Sequence, residues 1–299
     1  MKKPAQQPLT QLPDQAFGLY DKYAHGMLSR RDFFTAMAGL AVNAALATTF
    51  INSMLPNYAL AQQVSFNDDD ITASYQKFAS PQGHGEGRGY LVKPKNTEGA
   101  LPTVLVIHEN RGLNPYIEDV ARRLAKAGFI AFAPDALWPL GGYPGNDDSG
   151  REMQRSLEPA KIVADLAAAA QWLKQLEGGS GKLGVVGFCF GGAMTGRLAA
   201  DLPNVVDAGV PFYGSPPPAD KIVAIKAPLL VQLGELDERV NQQWPDAEAL
   251  FKQHNVNYKI EMYPASHHGF HNDSTARYNK EMAELAWQRT LVFFRQHLS

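Results

Sequence analysis

The spacing of apolar positions divides most of the chain into alternating short strands and amphipathic helices. Leu101 to Ile107 is a continuous apolar run, the pattern of a strand buried on both faces. From Asn114 the period changes: Ile117, Val120, Leu124 and Ala127 recur at three- and four-residue intervals and predict a helix that Gly128 ends. Phe129 to Ala133 predicts the next strand, and Pro134 to Gly150 a long loop. A helix is expected from Arg151 to Leu176, bent near Pro159, with Ile162, Leu166, Ala169, Ala170 and Leu173 on one face. Strands follow at Lys182 to Val186, Val205 to Phe212, Leu229 to Leu233 and Tyr258 to Tyr263, with helices at Trp244 to His254 and Thr275 to His297. Ahead of these, Ile71 to Ala79 and Gly89 to Val92 flank a Gly-rich stretch and predict an opening hairpin. The alternation argues for an α/β fold with a mostly parallel central sheet and helices on both faces.

The first 61 residues break this pattern. Ser29-Arg30-Arg31-Asp32-Phe33-Phe34 resembles a twin-arginine export signal. Thr35 to Phe50 is an Ala-rich, moderately apolar run, too short and too polar to predict a membrane span. Ala59-Leu60-Ala61 is a small-x-small cleavage pattern. The expected organisation is a leader over residues 1–61, carried to the periplasm by the twin-arginine machinery, and an enzyme domain over 62–299. The alternative is an amphipathic helix behind a chance Arg-Arg pair in a cytoplasmic protein.

Composition narrows the function only by exclusion. A formal net charge of −2 offers no basic excess for nucleic acid, and one cysteine excludes an intrachain disulfide. Glu177 to Lys182 superficially resembles a phosphate loop. It lacks Ser or Thr after the Lys and sits between helix and strand, so the reading is rejected.

The informative stretch is Gly187-Phe188-Cys189-Phe190-Gly191-Gly192, placed between a strand and a small-residue helix. An isolated cysteine is most often a buried small hydrophobe. Here glycines stand two before and two after it, the setting of a nucleophile elbow with sulfur in place of oxygen. Partners for it are expected at the carboxyl ends of later strands. Asp237 follows Leu229 to Leu233 and His268 follows Tyr258 to Tyr263, giving the order Cys, Asp, His. Alone, Asp237 would read as a turn or cap residue, and His267, His268 and His271 as a polar loop or a metal site. No H-E-x-x-H pattern supports the metal, and the joint order favours a triad that needs no metal or organic cofactor.

These residues resemble the dienelactone hydrolases (carboxymethylenebutenolidases) of the α/β-hydrolase superfamily, over roughly Ile71 to Ser299. Besides the elbow, Gly234-Glu235-Leu236-Asp237, His268-Gly269-Phe270, His108-Glu109-Asn110-Arg111-Gly112-Leu113 and Tyr213-Gly214 are similar to the family's motifs. The resemblance implies the α/β-hydrolase fold and hydrolysis of a small ester or lactone through an acyl-enzyme on Cys189, Asp237 and His268. It also implies that Glu109 pairs with Cys189 and regulates its ionisation. The oxyanion hole would use the backbone N–H groups of Asn110 and Phe190. The family's carboxylate-binding arginines are not matched: Pro134 to Pro139 holds no Arg, and Asn272 stands four residues after the catalytic His. Arg111 or Arg239 is the expected substitute. Other acyl-transfer chemistry on the same triad (a thioesterase or peptidase), or a non-catalytic ligand-binding protein of this fold, are the alternative readings.

Overall fold

In the computed structural model, which describes residues 12–41, 43–59 and 61–299, the predicted strands assemble into one eight-stranded sheet. The strands are β1 (Ile71–Ser80), β2 (Gly85–Pro94), β3 (Leu101–Ile107), β4 (Ile130–Pro134), β5 (Gly179–Phe188), β6 (Ala208–Phe212), β7 (Leu229–Gly234) and β8 (Tyr258–Tyr263). Their order is β1-β2-β4-β3-β5-β6-β7-β8. The opening hairpin is antiparallel and joins β4 antiparallel; β4 through β8 run parallel.

Alternation along each central strand feeds two cores. Leu105, Ile107, Leu183 and Val185 point to one face, where α6 (Pro159–Lys174), α7 (Phe190–Asp201) and α9 (Trp244–Gln253) pack. Val104, Val106, Val186 and Phe188 point to the other, covered by α4 (Pro115–Lys126) and α10 (Lys280–Leu298). The fold is the α/β-hydrolase architecture expected. Boundaries shift where local chemistry overrides the period. The expected bent helix is two helices, α5 (Asp147–Ser156), capped by Asn146, and α6, which opens on Pro159. The last helix starts at Lys280 because Asn279 caps it by accepting from the Met282 N–H.

The N-terminal segment folds as α1 (Asp14–Ala24), α2 (Arg30–Gly39) and α3 (Ala44–Met54) around Tyr20, Tyr23, Phe33, Met37, Phe50 and Met54. Polar residues cap these helices: Ser29 accepts from the Asp32 N–H, and Asn43, within the apolar run, from the Leu46 N–H. Among the described residues no helix is long and apolar enough to cross a membrane. Leu60 of the expected cleavage pattern lies outside the described residues. The segment lies over the carboxyl ends of the central strands. Asn110 donates to the Ala24 carbonyl (3.0 Å), Arg151 to the Tyr23 carbonyl (3.1 Å), and Tyr23 to Asp148 (2.5 Å).

Candidate active site

The elbow forms because three backbones meet where side chains would not fit. A Cβ on Gly187 would lie 2.0 Å from the Gly191 carbonyl oxygen, and one on Gly191 2.1 Å from that of Ile107. Gly192 is pressed against Phe212 and Gly214, which accounts for the Tyr213-Gly214 pair. Cys189, between β5 and α7, takes φ 54° and ψ −109°, a strained conformation for a residue with a Cβ. Its N–H donates to the Phe212 carbonyl (3.0 Å). Phe190 opens α7, so its N–H is among the amides that the helix leaves free.

Asp237 and His268 meet at the ends of β7 and β8. Asp237 Oδ2 lies 2.6 Å from His268 Nδ1, and its Oδ1 accepts from the Val240 N–H (3.3 Å), holding it at the start of α8 (Glu238–Asn241). Both side chains are buried. His268 Nε2 is buried without a hydrogen-bond partner, and a nitrogen of this ring lies within 4.8 Å of Cys189 Sγ. Burial works against charge on His268, but the Asp237 and then the Cys189 charges outweigh it and push the imidazole up to about 10. Burial likewise opposes the thiolate, yet the charges of His268 and then His25 hold the Cys189 thiol well below its usual range.

Glu109, directly after β3, is also buried beside this group, and burial pushes its carboxyl up. Its Oε2 accepts from Asn272 Nδ2 (3.1 Å), so the residue standing where an arginine was sought anchors the glutamate. Neither expected substitute is unengaged. Arg111 is buried and tied to Asp147 (2.6 Å), and Arg239 to Asp21 (2.9 Å).

Two features lie outside what motif reasoning reached. His25, at the end of α1, places Nε2 3.4 Å from Cys189 Sγ, while its Nδ1 lies 3.1 Å from Asp21 Oδ1. Its ring meets His268 edge-to-face. The donor atoms of His25, Cys189 and His268 lie within 4.8 Å of one another, a spacing that a soft cation would fit. The guanidinium of Arg239, 3.0 Å from His25 Nε2, already fills the positive side of that cluster. The second is Arg277, buried with its Nε unpaired and stacked 4.7 Å over the Tyr20 ring. It lines a cleft of about 440 Å³ with Phe17, Asp21, Arg239, His267 and His268. The only sequence signal for His25 was its place beside the Arg-Arg pair, which drew the export reading instead. A slightly larger groove, about 460 Å³, lies between β1, β2 and α6 and shares no residue with the Arg277 cleft.

The model of the dienelactone hydrolase family matches residues 88–298. The chain belongs to the dienelactone hydrolase family. A second model, described as YqhI-like, matches residues 4–42. The chain is 62% identical over 113 residues to a protein of Escherichia coli K12 named as a hydrolase fragment, YghX, covering 38% of this chain and 97% of that one. It is 37% identical over 223 residues to protein usf of Aquifex pyrophilus, covering 71% and 94%. A crystal structure described as a dienelactone hydrolase from Klebsiella pneumoniae superposes with a TM-score of 0.65 at 30% identity, covering 75% of this chain and 99% of that one. As a member of this family the chain is a hydrolase, and Cys189, Asp237 and His268 follow the carboxyl ends of parallel strands.

Proposed function

We propose that the protein cleaves an ester or enol-lactone through Cys189, His268 and Asp237. The observation that carries this reading is the 2.6 Å Asp237–His268 contact in an imidazole with an unpaired Nε2 and a ring nitrogen within 4.8 Å of the sulfur. His268 takes the thiol proton, and the Cys189 sulfur attacks the carbonyl carbon. The carbonyl π pair moves to oxygen, where the N–H groups of Phe190 and Asn110 receive it. Collapse breaks the bond to the leaving oxygen, which takes the proton from His268. Water, deprotonated by His268, then attacks the thioester; the acid leaves and the thiolate returns. Asp237 keeps the imidazole in one tautomer and balances its charge. Glu109, whose carboxyl burial pushes up, modulates the thiol's ionisation.

Arg277 supports a substrate bearing a carboxylate, because a buried guanidinium with an unpaired Nε at the cleft favours an anionic partner. A panel of short aryl esters and of lactones with and without a carboxylate tests both statements. Cys189→Ala is expected to abolish turnover, and full activity in that variant would refute the mechanism. Arg277→Gln is expected to raise KM for the carboxylate-bearing members alone. Export with the N-terminal helices retained remains part of the proposal: Arg30→Lys with Arg31→Lys should hold the protein in the cytoplasm, and an unchanged distribution would remove it.

A further inference from the structure

We infer that His25, oriented by Asp21, is a catalytic residue: a second imidazole on the nucleophile, supplied by the N-terminal segment, that stabilises the Cys189 thiolate. This rests on the thiol mechanism proposed above. Like the Asp237–His268 pair, it sets an imidazole with an aspartate at its Nδ1 beside the sulfur, here hydrogen-bonded through the Asp21 carbonyl, with the Asp21 carboxylate a looser ion-pair partner. Asp21 lies on Nδ1 of His25 (3.1 Å to Oδ1), and the Asp21 carbonyl is 2.8 Å from the same nitrogen. Both neighbours are acceptors, so Nδ1 carries the hydrogen and Nε2 faces Sγ at 3.4 Å.

The turn that presents His25 is built. Arg155 donates to the His25 carbonyl (2.7 Å), and Gly26 follows at φ 67°, where a Cβ would strike the Arg155 guanidinium. Phe17 stacks on His267 with ring centroids 4.2 Å apart, fixing α1 beside the His268 loop. The charged and titratable groups facing His25 are Asp21 on its own helix, Cys189 at the elbow, His268 after β8, Arg239 on α8 and Arg155 on α5.

Nε2 has two exclusive states. Neutral, it accepts from Arg239 Nη2 (3.0 Å); protonated from solvent, it donates to the thiolate, and Arg239 keeps Asp21 through Nε (2.9 Å). A donor on sulfur favours the resting thiolate and, after acylation, the departure of sulfur from the thioester. His268 is then left to move protons to and from the substrate. No proton from the substrate passes through His25, so the balance of the reaction is unchanged.

The full-length protein tests this through the pH dependence of Cys189 alkylation by iodoacetamide, which needs no substrate. His25→Ala should shift the thiolate titration upward by about one pH unit. It should also lower kcat roughly ten-fold with a smaller change in KM, the loss expected for a hydrogen bond to a charged atom. Added imidazole should restore part of the alkylation rate at the pH where the variant has lost it; Asp21→Asn should move the titration the same way by less. An unchanged titration in His25→Ala overturns the inference. So does faster alkylation together with faster turnover, which would make His25 a cover and not a participant. If no ester or lactone is cleaved, the hydrolase proposal fails while the titration still decides the part played by His25.

Discussion

Cys189 is held by its backbone as much as by its partners. A positive φ on a residue with a Cβ costs on the order of 1–3 kcal/mol, offset here by the packing of Gly187, Gly191 and Gly192 around it. The charge pattern sets the pH behaviour. The thiol is depressed well below its usual range, so alkylation should persist to lower pH than for an ordinary cysteine thiol. The opposite limb comes from His268, raised from 6.5 to about 10. A group raised by folding contributes stability that is fully present below its unfolded value, about 6.5, and is lost as pH rises through about 10. Up to about pH 9 that loss is offset by Cys189, whose lowered thiol contributes more as pH rises. Thermal melts should therefore show Tm falling between about pH 9 and 10, a fall that Asp237→Asn blunts. Asn272 makes the same point about partners. Asn272→Ala leaves a buried Glu109 oxygen unpaired and should cost about 1–3 kcal/mol in denaturant titrations.

At the scale of elements, the elbow is the tightest junction. Gly191→Ala would force a methyl to within 2.1 Å of the Ile107 carbonyl oxygen and is expected to destabilise by about 3 kcal/mol, read as a shift in the denaturant midpoint. Strands, helices and the positions of Cys189, Asp237, His268 and Glu109 could be read from the sequence because each depends on local period or on a short motif at a strand end. The split at Pro159 and the start of α10 at Lys280 escaped the period, since single capping residues decide them. His25 escaped for a different reason. Its contact with Cys189 spans 164 residues, and no local pattern encodes a separation of that size. The same Ser, Asn and Thr residues that soften an export-like apolar run also cap and line amphipathic helices, so composition alone could not distinguish the two.

For the whole molecule, the N-terminal helices and the sheet carry separate cores joined largely by polar contacts. Tyr23→Phe removes the hydrogen bond to Asp148 and should loosen this junction by about 1 kcal/mol. Tryptic cleavage at Arg30 or Arg31 should then accelerate while the body from β1 onward stays intact. Equal rates would mean that the seat does not depend on that bond. The seat has a consequence for biosynthesis. Arg239, which grips Asp21, lies 218 residues downstream of it, and Arg155, which holds the His25 turn, 130 residues downstream of that histidine. These helices leave the ribosome before the surface that receives them, which is made of later residues, and so find their place late. Until they dock, a newly made molecule has its elbow formed and its sulfur uncovered, open to oxidants and without its second imidazole.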